Sequence, residues 1–122
     1  MAARPVLIVV VAGDAKLRSA LAKRLAMHGA ELLTASSWGD GLLDRAMIRE
    51  PAILVAEEAA IAGEPGDWLE RQRQGGRWRR VVMLTEATPA AGDHDWLVPV
   101  HRRSARALLA ALYGDGTSSG PL

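Results

Sequence analysis

No cysteine occurs in the 122 residues of the chain. Disulfides, thiolate nucleophiles and cysteine-ligated zinc are therefore excluded. Long apolar runs are also missing. No uninterrupted run exceeds that from Val6 to Ala12, far short of the ~20 residues a membrane-crossing helix needs. Neither sign of charge dominates. Fifteen Lys and Arg against 14 Asp and Glu leave a formal charge of +1, which points to neither nucleic acid nor a membrane surface as partner. There is no glycine-rich phosphate loop with its lysine, and Gly63-Glu64-Pro65-Gly66 and Gly75-Gly76 read as turns. Ser36, Ser37 and Ser104 read as helix caps, because no His and Asp are spaced to complete a nucleophilic triad. Met-Ala-Ala-Arg-Pro runs straight into an apolar stretch, so no signal peptide is expected and the cytoplasm is the expected compartment.

What is present is alternation. Val6 to Val11 is a continuous β-branched run, the pattern of a strand buried on both faces. Asp14 is placed to cap a helix in which Leu17, Leu21 and Leu25 recur every four residues, and Gly29 stops it after His28. Glu31 to Ala35 reads as a second strand. Ser36 or Ser37 caps a second helix carrying Leu42, Leu43, Ala46 and Met47, which must end before Pro51. Ile53 to Ala56 is a third strand, Gly66 to about Gln74 a third helix, and Val81 to Thr85 a fourth strand. Trp96 to Val98 is a short fifth strand and Ser104 to Tyr113 a final amphipathic helix. Residues 1–113 thus form one domain, and 114–122, rich in Gly and Ser, read as a flexible tail or linker.

Strands alternating with helices imply βαβ units and a parallel sheet covered on both faces. In such folds function gathers at the carboxyl ends of the strands. The positions to inspect are Ala12-Gly13-Asp14, Glu57-Glu58, Thr85-Glu86 and Val98-Pro99.

Over roughly residues 5 to 113 the chain resembles a bacterial response-regulator receiver domain. The stretches that carry the likeness are VLIVVVAGDAKLRSALAKRLAMHGAELLTAS, EPAILVAEE, GDWLERQR, VVMLTEA and WLVP before the last helix. The bias to arginine, with Lys16 and Lys23 as the only lysines, suits a GC-rich bacterial genome. The resemblance implies a flavodoxin-like sheet of five parallel strands in the order 2-1-3-4-5 with helices on both faces. It also implies a phospho-acceptor site from which this chain departs. The family's acidic pair, which holds Mg²⁺ after strand one, falls on Ala12 and Gly13, and Asp14 sits where a cap or a third acid is found. The acceptor aspartate falls on Glu57, whose extra methylene moves the carboxylate about 1.5 Å along and disturbs in-line attack. Thr85 matches the hydroxyl residue that senses the phosphoryl group. Val98 or Pro99 stands where the family has its lysine.

Phosphoryl transfer needs its metal and its cation together, because negative charge spreads over the equatorial oxygens in the transition state. The resemblance therefore implies a degenerate, pseudo-receiver type, neither an enzyme nor a cofactor or metal binder. Glu57 is either a fixed negative charge that holds one conformational state or a solvated strand-end carboxylate.

A second departure lies in the ten residues between Thr85 and Trp96, EATPAAGDHD. With Pro89 and Gly92 inside it, this stretch holds at most a turn or two of helix. The family's fourth helix is thus expected to be missing or reduced to a loop. Uncovered apolar surface would then serve protein contact or dimerisation, with Trp96, Arg102, Arg106 and Leu109 contributing.

Other features read more plainly. Arg71, Arg73, Arg77, Arg79 and Arg80 form either a contact for an acidic partner or a solvated helix end. Asp93-His94-Asp95 are consecutive loop residues that do not converge on one ion. Trp38, Trp68, Trp78 and Trp96 are expected to pack, with Trp78, between arginines, the exception. The function expected is phosphorylation-independent binding of a protein partner: a signalling protein, a linked output domain or a second copy. Two alternatives stay open: a phosphoryl acceptor of unusual geometry using Asp14 and Glu57, and a small-ligand sensor binding near Ala12-Gly13.

Overall fold

Ile8, Val9, Val10 and Val11 have almost no exposed surface, because β1 (Leu7–Val11) lies inside a sheet covered on both faces. A strand in that place must be apolar at every position rather than at alternate ones. The computed structural model describes residues 7–38, 52–76, 78–86 and 96–113. β1 pairs in parallel with β2 (Glu31–Ala35) on one side and with β3 (Ala52–Glu57) on the other. β4 (Trp78–Thr85) and β5 (Leu97–His101) continue the sheet, also in parallel, giving the order β2-β1-β3-β4-β5. The parallel pairing is what the alternation implies, and the order is the flavodoxin-like one that the resemblance implies.

The helices follow from local signals. Asp14 accepts from the Lys16 and Leu17 amides at 2.9 and 3.3 Å and so starts α1 (Ala15–Met27). A cap of this kind satisfies amides that the first turn of a helix leaves unpaired. Gly29, at φ 83°, takes the left-handed conformation that ends the helix. A 3₁₀ turn (Glu58–Ile61) follows β3, then α2 (Trp68–Gly75), which stops at Gly76 with φ 71°. Ser104 Oγ accepts from the Ala107 amide at the start of α3 (Ala105–Tyr113).

Side chains of β1 split evenly between two cores. Ile8 and Val10 meet Leu21 and Leu25 of α1 and Leu108 of α3; Val9 and Val11 meet the layer containing Trp68 of α2. In the second layer Trp38 stands edge-on to Trp68, centroids 4.9 Å apart, and 6.3 Å from Trp78. Such pairs add about 0.5–1.5 kcal/mol beyond the area they bury.

Three strands differ from the sequence expectation, β3 only by one residue at each end. β4 begins at Trp78, three residues before the VVMLT run. Ala52 pairs with Trp78 but Ile53 pairs with Arg80, so Arg79 is an extra residue, a β-bulge. The bulge breaks the period-2 alternation. Trp78 is thereby buried in the α2 layer, whereas Arg80 reaches to the other side and donates to the Ala111 carbonyl near the end of α3. Trp78 is therefore core rather than the exception expected, and its Nε1 donates to Gln72 Oε1 at 2.9 Å.

β5 runs from Leu97 to His101 rather than from Trp96 to Val98, so Val98 and Pro99 lie inside it, opposite Val82 and Met83. Val81 donates to the Trp96 carbonyl and Arg102 to that of Thr85. Parallel pairing uses alternate residues, so 96, 98, 100 and 102 bond to β4 and Pro99 falls in the outer row. A missing N–H there costs no ladder bond.

The expected second helix with Leu42, Leu43, Ala46 and Met47 lies outside the described residues. So do Arg77, the stretch 87–95 in which the fourth helix is expected to be lost, Asp93-His94-Asp95, and the tail 114–122.

Candidate functional site

Parallel pairing brings the ends of β1, β3, β4 and β5 to one rim, where four loops meet. Glu57, the last residue of β3, is only 5% exposed, the one buried charged residue among those described. It is not a solvated strand-end carboxylate. Its Oε1 accepts from the Gly13 amide at 3.0 Å and more weakly from that of Asp14 at 3.4 Å. Its Oε2 lies 3.1 Å from Arg102 Nη1. A buried carboxylate is costly unless both oxygens find partners, and here both do.

Arg102 is the residue that its place in the sequence misassigns. Expected on an interaction surface, it follows β5 directly and reaches into the strand-end rim. Its Nη2 donates to Asp14 Oδ2 at 2.7 Å, and its Nη1 comes within 3.7 Å of the exposed Glu86. One planar guanidinium thus joins the β1–α1 turn, the end of β3 and the turn after β4. The cation expected to be absent is supplied, three positions after Pro99. A signal was available: LVPVH continues as a strand through the proline, which moves the strand end onto His101-Arg102.

Asp14 serves twice, as helix cap and as partner of Arg102. The Leu17 amide, with the Arg102 guanidinium, holds its carboxyl below the usual aspartate range. Arg18 Nη1 donates to the Ala12 carbonyl at 2.7 Å and ties the same turn. Ala12 itself is buried in the core and offers no ligand. Gly13 needs no glycine conformation; a Cβ there would stand 3.6 Å from the Ser36 carbonyl and 4.0 Å from Glu57 Oε1, ordinary contacts. Thr85 ends β4 half-buried, with its carbonyl accepting from the Arg102 amide at 2.8 Å.

The Mg²⁺ that the fold family implies does not fit these residues. Asp14 and Glu57 are the carboxylates close to the expected metal position, and both are already paired with Arg102, whose cation stands where the metal would. Among the described residues no three His, Asp or Glu side chains gather as a ligand set.

The residues expected to form one interaction surface do not lie together. Trp96 packs with the α2 layer, its Nε1 donating to the Trp78 carbonyl at 2.9 Å and its ring 5.2 Å beneath the Arg73 guanidinium. Leu109 packs with the α1–α3 layer on the opposite face, and Arg106 is exposed on α3. The arginine run dissolves likewise: Arg71 pairs with Asp67, Arg73 covers Trp96, Arg79 is exposed and Arg80 caps α3.

A crystal structure of a response regulator receiver domain protein from Bacillus halodurans C-125 superposes on this chain with a TM-score of 0.68. The match covers 89% of this chain and 94% of that one at 16% sequence identity. The likeness establishes a receiver-like fold. No protein-family profile matches the chain, and no curated protein sequence does. Among the described residues no helix is long and apolar enough to cross a membrane.

Proposed function

We propose that the chain is a receiver-like signalling module of bacterial type that acts by protein contact and is not switched by phosphorylation. The observation that carries this reading is the closure of the strand-end site upon itself. Both Glu57 oxygens are engaged, by the Gly13 amide and by Arg102, so neither is free to attack a phosphoryl donor. One guanidinium already faces three carboxylates there. A dianionic phosphoryl group arriving without a metal would meet net negative charge. The domain then has no enzymatic role. Its fixed Glu57–Arg102 pair holds one state, which a signalling protein, a linked output domain or a second copy reads.

The decisive experiment exposes the chain to Mg²⁺ with acetyl phosphate, then with beryllofluoride, and reads intact mass and amide NMR. Unchanged mass and unshifted Gly13, Glu57 and Thr85 amides are expected. A stable phosphoryl adduct, or saturable shifts at those residues, overturns the proposal.

One observation favours a second reading. Arg102 stands by Glu57 at the end of β5, so a cation is available for phosphoryl transfer, and only the metal ligands are lacking. The same mass measurement separates the two.

A further inference from the structure

Between α1 and α3 runs a cleft of about 300 Å³, within the range of small-ligand sites. Its floor is apolar, built on Leu21, Leu84 and Leu108 from both helices and β4. Its rim carries Arg24, Arg102 and Arg103, and among the described residues no carboxylate lines it. A second hollow, about 330 Å³, adjoins it through Ala20 and Arg24 and extends to Lys23, Met27 and His28. Met27 is 80% exposed, the one large apolar side chain so placed among the described residues. From Leu17 to His28 the two hollows follow α1 for about 16 Å at the helical rise per residue.

We propose that this groove binds a small amphipathic carboxylate, an aliphatic chain of about ten carbons ending in one negative charge. The chain covers the leucine floor, removing apolar surface from water. The carboxylate meets Arg24 and Arg103, neither of which pairs with an acid among the described residues, in charge-assisted hydrogen bonds. The elongated outline suits an extended chain better than a compact ring system. With three cations on the rim and no lining acid among the described residues, a cationic ligand is disfavoured.

Arg102 lines both this cleft and the Glu57 cluster, and its Nε is shielded from solvent without an acceptor. A carboxylate that draws on Arg102 competes with Asp14 and Glu57, so occupancy of the groove is felt at the Gly13 amide. The groove would then be an input to the strand-end site that does not pass through phosphate. This inference does not rest on the protein-contact reading, and either stands if the other falls.

The test is an amide NMR titration of the full chain with decanoate, against decylamine and decanol, below the concentrations at which these aggregate. Saturable shifts at Ala20, Arg24 and Arg103, with a smaller shift at Gly13, are expected for decanoate alone. Arg24→Glu with Arg103→Glu should weaken binding about tenfold or more, the order of one lost charge-assisted contact. Ala20→Trp, at an exposed position, should fill the groove and abolish binding while the circular dichroism melt stays unchanged. Equal binding of decylamine, or unaltered decanoate affinity in both variants, overturns the proposal. Saturation by an acidic amphipathic peptide but not by decanoate overturns it in favour of a protein ligand.

Discussion

Arg102 Nη1 stands 3.1 Å from Glu57 Oε2, across the carboxyl ends of β5 and β3. The two residues lie far apart in sequence, and no local pattern links them. Arg102→Ala leaves a carboxylate with 6% side-chain exposure and no cation. Breaking a fully buried pair costs ~3–5 kcal/mol, and with Arg102 itself 20% exposed about 2 kcal/mol is expected. Arg102→Lys should recover part of this, because one ammonium cannot span Asp14 and Glu57 as a planar fork does. Urea denaturation of both variants checks the order.

Gly13 has room for a side chain next to Glu57, which makes the lost metal site testable by building it back. Gly13→Asp with Glu57→Asp places two carboxylates at the turn and withdraws the acceptor carboxylate from the Gly13 amide. Without a metal the double variant should melt below the wild type, since like charges approach closely. Millimolar Mg²⁺ should raise its melting temperature by several degrees and leave the wild type unmoved. A Mg²⁺ response of the unaltered chain would mean that Arg102 does not keep the metal out.

Acid should loosen the β1–α1 turn. The carboxyl of Asp14 is held below its ordinary value, chiefly by the Leu17 amide and then by Arg102. A depressed folded-state value means stability that is present above the unfolded value, about 3.9 for aspartate, and lost as pH falls through the folded one. Asp14→Ala should therefore lower stability at neutral pH and flatten the fall on acidification. Denaturation midpoints measured for both chains across that interval give the comparison. Parallel curves would mean that Asp14 contributes nothing through its charge.

Trp96 links the start of β5 to β4 through the Trp78 carbonyl and lies beneath Arg73. Trp96→Ala should cost about 1–2 kcal/mol, the ordinary range for losing one hydrogen bond and one cation–π contact. Sedimentation at matched stability tests whether the residue also serves self-association. A stability loss with no change in association assigns Trp96 to packing alone.

The first helix and the β2 boundaries were legible in the sequence because each rests on a local rule, whereas the sheet order came from the family resemblance. An exposed strand does not carry four apolar residues in succession: the run Ile8 to Val11 demanded burial on two faces, and Asp14 and Gly29 marked the ends of α1. The larger failures of boundary, in β4 and β5, have one cause. β4 contains a bulge at Arg79 and β5 a proline, so neither obeys the alternation used to find strands. Mislocating the end of β5 hid Arg102, and with it the partner that decides what Glu57 is. The buried state of Glu57 was not legible either. It depends on the Gly13 amide and on a cation delivered from the far side of the sheet, both of them tertiary facts.

Pro99 in the outer row of β5 has a consequence for assembly. A sheet grows by offering an unbroken line of donors and acceptors to the next strand, and this edge offers a line with a gap at its middle. A second molecule cannot extend the sheet through β5 without leaving one of its own carbonyls unanswered. Pairing of two copies along this flank is thereby steered away from the backbone and toward side-chain contacts. The same gap keeps the edge from templating fibrils.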